Sequence, residues 1–76
     1  MSRLPLISGK DMCVLLAGLG FAQVRRRGSH AFLAHPDGRT LVVPVHGGED
    51  LGRGLIRTIL REVQLTVDGY VKLRGR

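Results

Sequence analysis

Two turn signals cut the middle of this chain into runs too short for anything but strands. Gly28-Ser29 is one, and Pro36-Asp37-Gly38 is the other. In the second, Pro presets one backbone dihedral and Gly accepts a positive one. The runs they bound cover residues 21–27, 30–35 and 40–45. In the first, Ala22, Val24 and Arg26 share one side, and Gln23, Arg25 and Arg27 the other. In the second, His30, Phe32 and Ala34 alternate with Ala31, Leu33 and His35. Such alternation places successive side chains on opposite sheet faces. The third run, with Leu41, Val42 and Val43, is apolar enough to be covered on at least one face. Three runs joined by two tight turns predict an antiparallel meander.

Helical spacing flanks the meander. Met12, Leu15, Leu16 and Leu19 fall at i, i+3, i+4 and i+7, which predicts a helix over residues 9–18. Ser8 is its N-cap, Asp11 three residues later completes a capping-box pattern, and Gly18 and Gly20 supply the stop. Pro5 argues against an earlier start, so residues 1–7 read as an irregular or extended lead-in. Leu51, Leu55, Ile56, Ile59, Leu60 and Val63 predict a second helix over 52–63, with Arg53, Arg57 and Arg61 as a solvated row. Glu49 or Asp50 sits where it complements that helix's dipole. Thr66 is expected to cap a last short turn through Tyr70 to Leu73, weakened by Gly69. Residues 72–76 read as a basic, frayed tail. The expected fold is α+β in the order α-β-β-β-α. It is a single domain over residues 1–76, with a three-stranded antiparallel sheet covered on one face by two helices. Double-stranded-RNA-binding domains share that order. The second sheet face, or an edge, is left for a partner.

Nothing else in the chain can hold it together. Cys13 is the only cysteine, which excludes a disulfide scaffold and cysteine-based zinc or iron–sulfur sites. At 76 residues, nearly every large aliphatic side chain is needed for the core, which leaves little for a deep small-molecule pocket. The longest apolar stretch, residues 12–22, is about half of the roughly 20 residues a membrane span needs. Asp11 abuts that stretch, so it reads as neither span nor signal peptide, and cytoplasm is the expected location. Lys and Arg number 12 against 6 Asp and Glu, a formal charge of +6, and most of the cations are Arg. Arg forks match phosphate geometry, which points to a polyanionic partner rather than to solubility alone.

RNA needs little protein to be cut, because its own 2′-OH can attack the adjacent phosphorus once a base takes the proton. Imidazole suits that role, and Arg, Ser O–H or backbone N–H groups suit the charge developing on the phosphoryl oxygens. The segment Arg25-Arg26-Arg27-Gly28-Ser29-His30 carries all of these types. By residue type alone, His30 reads more readily as a structural or solvated histidine than as a base. His35 reads as an exposed strand-end residue. His46 reads as holding its Gly-rich loop through a backbone hydrogen bond, ahead of a role as proton donor. Cys13 reads as inert at the helix–sheet boundary, and Tyr70 as an anchor for the last turn. No carboxylate pair is spaced for metal or acid–base work, and neither metal nor cofactor is expected. Gly47-Gly48 and Gly52-x-Gly54 lack the strand–helix setting of a dinucleotide fingerprint.

The ordered pieces resemble the HicA toxin family of small RNA-cleaving proteins. They are Ser8-Gly9-Lys10-Asp11, Leu19-Gly20-Phe21, Arg27-Gly28-Ser29-His30 with Phe32, and His35-Pro36-Asp37-Gly38. Val43-Pro44-Val45-His46 follows, then Leu51, Gly54, Ile56-Arg57 and Ile59-Leu60-Arg61. The resemblance runs from about residue 5 to about residue 70. It implies an mRNA interferase with a double-stranded-RNA-binding-like fold, neutralised by a HicB-type antitoxin. The family's catalytic histidine follows Gly-Ser, and that position here is His30. Gly28, Ser29, Arg25, Arg26, Arg27 and Lys10 are then the expected RNA- and phosphate-contacting set. The chain departs from the family pattern at Ala31, where relatives often carry a second residue such as His. It departs also at Leu55, where Thr is common, and at Gln64, where Gly often precedes the last turn. A non-catalytic RNA-binding module is the alternative on the same residues.

Overall fold

The computed structural model describes residues 4–75. The elements are α1 (Gly9–Ala17), β1 (Ala22–Arg27), β2 (His30–Ala34), β3 (Thr40–Pro44), α2 (Arg53–Glu62) and α3 (Val67–Arg74). The three strands form one antiparallel sheet in the order β1-β2-β3. This is the expected α+β, double-stranded-RNA-binding-like arrangement with one further helix.

α1 and α3 start at side-chain caps, whereas α2 starts at Gly52 without one and has no acidic residue in its first turn. The Ser8 hydroxyl accepts from the Asp11 N–H at 3.1 Å and starts α1. Its end is a Schellman motif: the Phe21 N–H reaches the Leu16 carbonyl, the Gly20 N–H reaches that of Ala17, and Gly20 sits at φ +98°. α2 ends the same way, with Leu65 donating to Leu60 and Gln64 to Arg61. There the left-handed position, φ +59°, is taken by Gln64. The last turn is a full helix rather than a weak one. Thr66 caps α3 by accepting from the Gly69 N–H at 3.0 Å, and Tyr70 is fully buried beneath it. Lys72 and Arg74 belong to α3 rather than to a frayed tail, and Arg74 reaches the Leu6 carbonyl. The part of that expectation on residue 76, like the lead-in at 1–3, lies outside the described residues.

One face of the sheet is covered. Ala31, Leu33, Leu41 and Val43 are buried, and they pack with Met12 and Leu16 of α1 and Ile56, Ile59 and Leu60 of α2. Tyr70 brings α3 into the same core. The lead-in is extended and tied down: Leu51 donates to the Ile7 carbonyl, and Tyr70 Oη donates to that of Pro5. Alternation fails in one place. Gln23 pairs with Leu33 but Arg25 with Phe32, so a bulge at Val24 takes Gln23 off the face it was expected to share with Arg25. Among the described residues no helix is long and apolar enough to cross a membrane.

Candidate functional site

The site grows from the β1–β2 turn. Arg27 pairs with His30 across two central residues, and Gly28 alone of those two has positive φ, +55°. That is the pattern of a type II′ hairpin turn, which favours glycine first. A Cβ at Gly28 would meet nothing within 4 Å, so the conformation rather than crowding calls for glycine. Arg26 Nε donates to the Gly28 carbonyl at 3.2 Å, and the Val45 N–H donates to the Ser29 carbonyl. The turn is therefore held from both sides.

Cross-strand partners share a sheet face. Arg27, His30 and Pro44 form one such row, and Arg25, Phe32 and Val42 the next. Both rows lie on the open face, since the alternate positions 31, 33, 41 and 43 are buried under the helices. Of the three consecutive arginines, Arg25 and Arg27 stand beside His30. Arg26 pairs with Ala31 and faces the helix side. There its charge acts on Cys13, opposing the burial that pushes the half-buried thiol up.

His30 is exposed as the first residue of β2, and among the described residues its ring makes no hydrogen bond. The Arg25 guanidinium lies 5.5 Å from the centroid of Phe32. Val24, Arg25, Phe32, Thr40, Val42 and Glu62 are among the residues that line a shallow concavity of about 620 Å³. Lys10 joins this end of the sheet through its helix. A Cβ on the neighbouring Gly9 would run into the Pro44 carbonyl oxygen, so only glycine lets α1 press onto the end of β3. Pro44 is in turn the partner of His30. The exposed Lys10, the Gly28-Ser29 turn, His30 and the Pro44–His46 exit thus share one end of the molecule.

The other histidines behave differently from expectation. His35 is not an exposed strand end: its side chain is 22% exposed and packs at 4.9 Å against the Phe21 ring. With a neutral ring, its Nδ1 accepts from the Asp37 N–H at 3.1 Å; with a protonated ring, the same atom faces the Asp37 carboxylate at 3.0 Å. It fastens the 36–38 turn. The loop after β3 is held by the His46 carbonyl, which accepts from the Glu49 N–H at 2.8 Å. The His46 ring is exposed and makes no hydrogen bond among the described residues.

The arginines divide by use. Sequence reasoning overlooked Arg39, whose guanidinium donates to the Asp37 carboxylate at 2.7 Å and to the Val63 carbonyl at 2.8 Å, and covers Phe21. Only its place two residues after a turn aspartate hints at this. The Arg39 N–H, then its guanidinium, hold the Asp37 carboxyl below its ordinary value. The α2 row also splits, since Arg53 donates to the Leu4 carbonyl while Arg57 and Arg61 are exposed. Among the described residues no three His, Cys, Asp or Glu side chains cluster as metal ligands would.

No curated protein matches this chain. A protein-family model does: residues 9–65 match the one described as the HicA toxin of bacterial toxin–antitoxin.

Proposed function

We propose, on the premise that this chain belongs to the HicA toxin family, that it is an RNA-cleaving toxin whose general base is the His30 imidazole. The observation that carries the reading is the placement of His30: exposed, on the open sheet face, paired across the strand with Arg27. A ring nitrogen with no hydrogen-bond partner among the described residues is available to a ribose hydroxyl. It takes the 2′-OH proton, the oxygen attacks the adjacent phosphorus, and the bond to the 5′ oxygen breaks. The products are a 2′,3′-cyclic phosphate and a 5′-OH, with a proton returned to the leaving oxygen. Because the nucleophile belongs to the substrate, the step requires no metal-activated water.

Charge on the phosphoryl oxygens is met by Arg27 and Arg25 on the same face, by Lys10 at the start of α1 and by the Ser29 hydroxyl and the Gly28-Ser29 amides. Arg26 has a different part, since its hydrogen bond to the Gly28 carbonyl holds the turn in shape. The substrate is mRNA in the cytoplasm, and a HicB-type antitoxin neutralises the toxin. One positioned base supplies about 10²–10⁴-fold. His30→Ala should therefore lower cleavage by at least about 100-fold while RNA binding persists. The measurement is cleavage of a defined RNA with the termini identified, beside growth arrest on expression. Cleavage by the variant at the parent rate removes His30 from the role. If the wild type binds RNA and never cuts it, the chain is a binding module instead.

A further inference from the structure

The open sheet face holds more than a base and its cations. Phe32 is the second residue after His30 on β2, so the two side chains project from the same face roughly 7 Å apart along the strand. That distance is about one nucleotide step. Phe32 has no helix over it. What covers it is the Arg25 guanidinium, 5.5 Å from the ring centroid. Val24 and Val42, 66% and 41% exposed, extend the apolar floor on either side. A half-buried aromatic with a guanidinium against its face, a cation on the next row and an exposed aliphatic rim is a surface that accepts the flat face of a nucleobase. Both the ring and the guanidinium stack on bases, and neither reads their edges. Base-paired RNA cannot use it, because its bases are turned inward and stacked on each other.

We propose that the face formed by Arg25, Phe32 and Val42 is a stacking platform for an unpaired base next to the cleaved phosphate. The platform lies one strand row from His30 and Arg27, so a base seated on it brings its neighbouring ribose and phosphate over the imidazole. This assignment rests on the reading of His30 as the base at the cleaved bond, but its test does not. The alternative occupant, a protein partner with acidic and aliphatic side chains, fits the aliphatic rim but leaves the aromatic–guanidinium pair without a specific role.

The experiment uses the full chain and a 2′-O-methyl RNA oligomer, which no base can cleave, single-stranded or annealed to its complement. Phe32→Val keeps a strand-favouring residue on the open face and removes the ring. It should weaken single-strand binding by about tenfold and duplex binding by less than about twofold. Phe32→Trp should restore single-strand affinity. Because the chain contains no other tryptophan, its fluorescence should also be quenched as the single strand is added. Unchanged single-strand affinity in Phe32→Val, equal losses on single strand and duplex, or an unquenched indole in Phe32→Trp each overturn the platform. Cleavage by His30→Ala, measured separately on ordinary RNA, reports on the base alone. A failure of one reading is thus told apart from a failure of the other.

Discussion

Gln64 occupies a backbone position that suits glycine better. Its φ of +59° closes the α2 Schellman motif, and an L side chain there costs about 1–2 kcal/mol. Gln64→Gly relieves that strain and adds freedom to the unfolded chain, so the net expectation is a gain of up to about 1 kcal/mol. A shift of the urea midpoint at constant slope measures it. Gly20 is the same position at the end of α1, with a second constraint: a Cβ there would lie 2.8 Å from His35 Nε2. Gly20→Ala should cost about 2 kcal/mol or more, read as a lower thermal midpoint. Asp37 gives a pH signature. Its carboxyl is held below the ordinary 3.8, so its contribution is complete above that value and disappears as pH falls through the lower folded-state one. Asp37→Asn should flatten the acid limb of stability against pH, and an acid limb unchanged in the variant would refute the linkage. Gly20 was readable from sequence because glycine after a periodic run announces a stop. Gln64 was not readable from its own residue type, and only the glycine that the resembled family often carries there hinted at it; burial of Val63 on one side and packing of Leu65 on the other impose it.

At the level of elements, α1, the strands and α2 were legible to within a residue or two, since apolar period and turn chemistry agree along 8–63. Two features were hidden for physical reasons. All six residues of β1 are exposed, so no buried face dictates its register, and the bulge left no apolar pattern to read. α3 is eight residues long with Gly69 in its first turn, too short to stand alone, and it exists because Tyr70 enters the core. The Tyr70 hydroxyl donates to the Pro5 carbonyl, so Tyr70→Phe should cost about 1–2 kcal/mol by chemical denaturation. Burial pushes that phenol above its ordinary 10.0. Its contribution is therefore complete below pH 10.0 and declines as pH rises toward the folded-state value. The phenylalanine variant should lose that alkaline decline. The site itself was half legible: residue types placed His30, Gly28 and Ser29 in one turn, while the cross-strand company of Phe32 and Val42 needed the register of three strands.

For the molecule as a whole, +6 is not a diffuse charge. Arg26, Arg39, Arg53 and Arg74 are spent on backbone carbonyls or a turn carboxylate. Arg25 and Arg27 share the open face with His30, Lys10 starts α1 beside the Pro44 end of β3, and Arg57 and Arg61 are exposed on α2. Three phosphate contacts give a slope of about −2 in log affinity against log salt for a single strand. Arg27→Gln should make that slope shallower by about 0.7, and the Arg57→Gln, Arg61→Gln pair should leave it alone. Salt titrations of RNA binding decide; equal effects of the two changes would mean that the charge acts without direction. The tie between α3 and residues 5–6 bears on how such a gene can fail. A premature stop codon just after Leu65 spares every position that the family match spans, His30 included. Yet it strips Tyr70 from the core and unfastens the lead-in that delivers Ser8 and Lys10 to their helix. Inspection of the Gly28–His30 turn alone would score that allele as intact; by this architecture it encodes a protein whose core is breached.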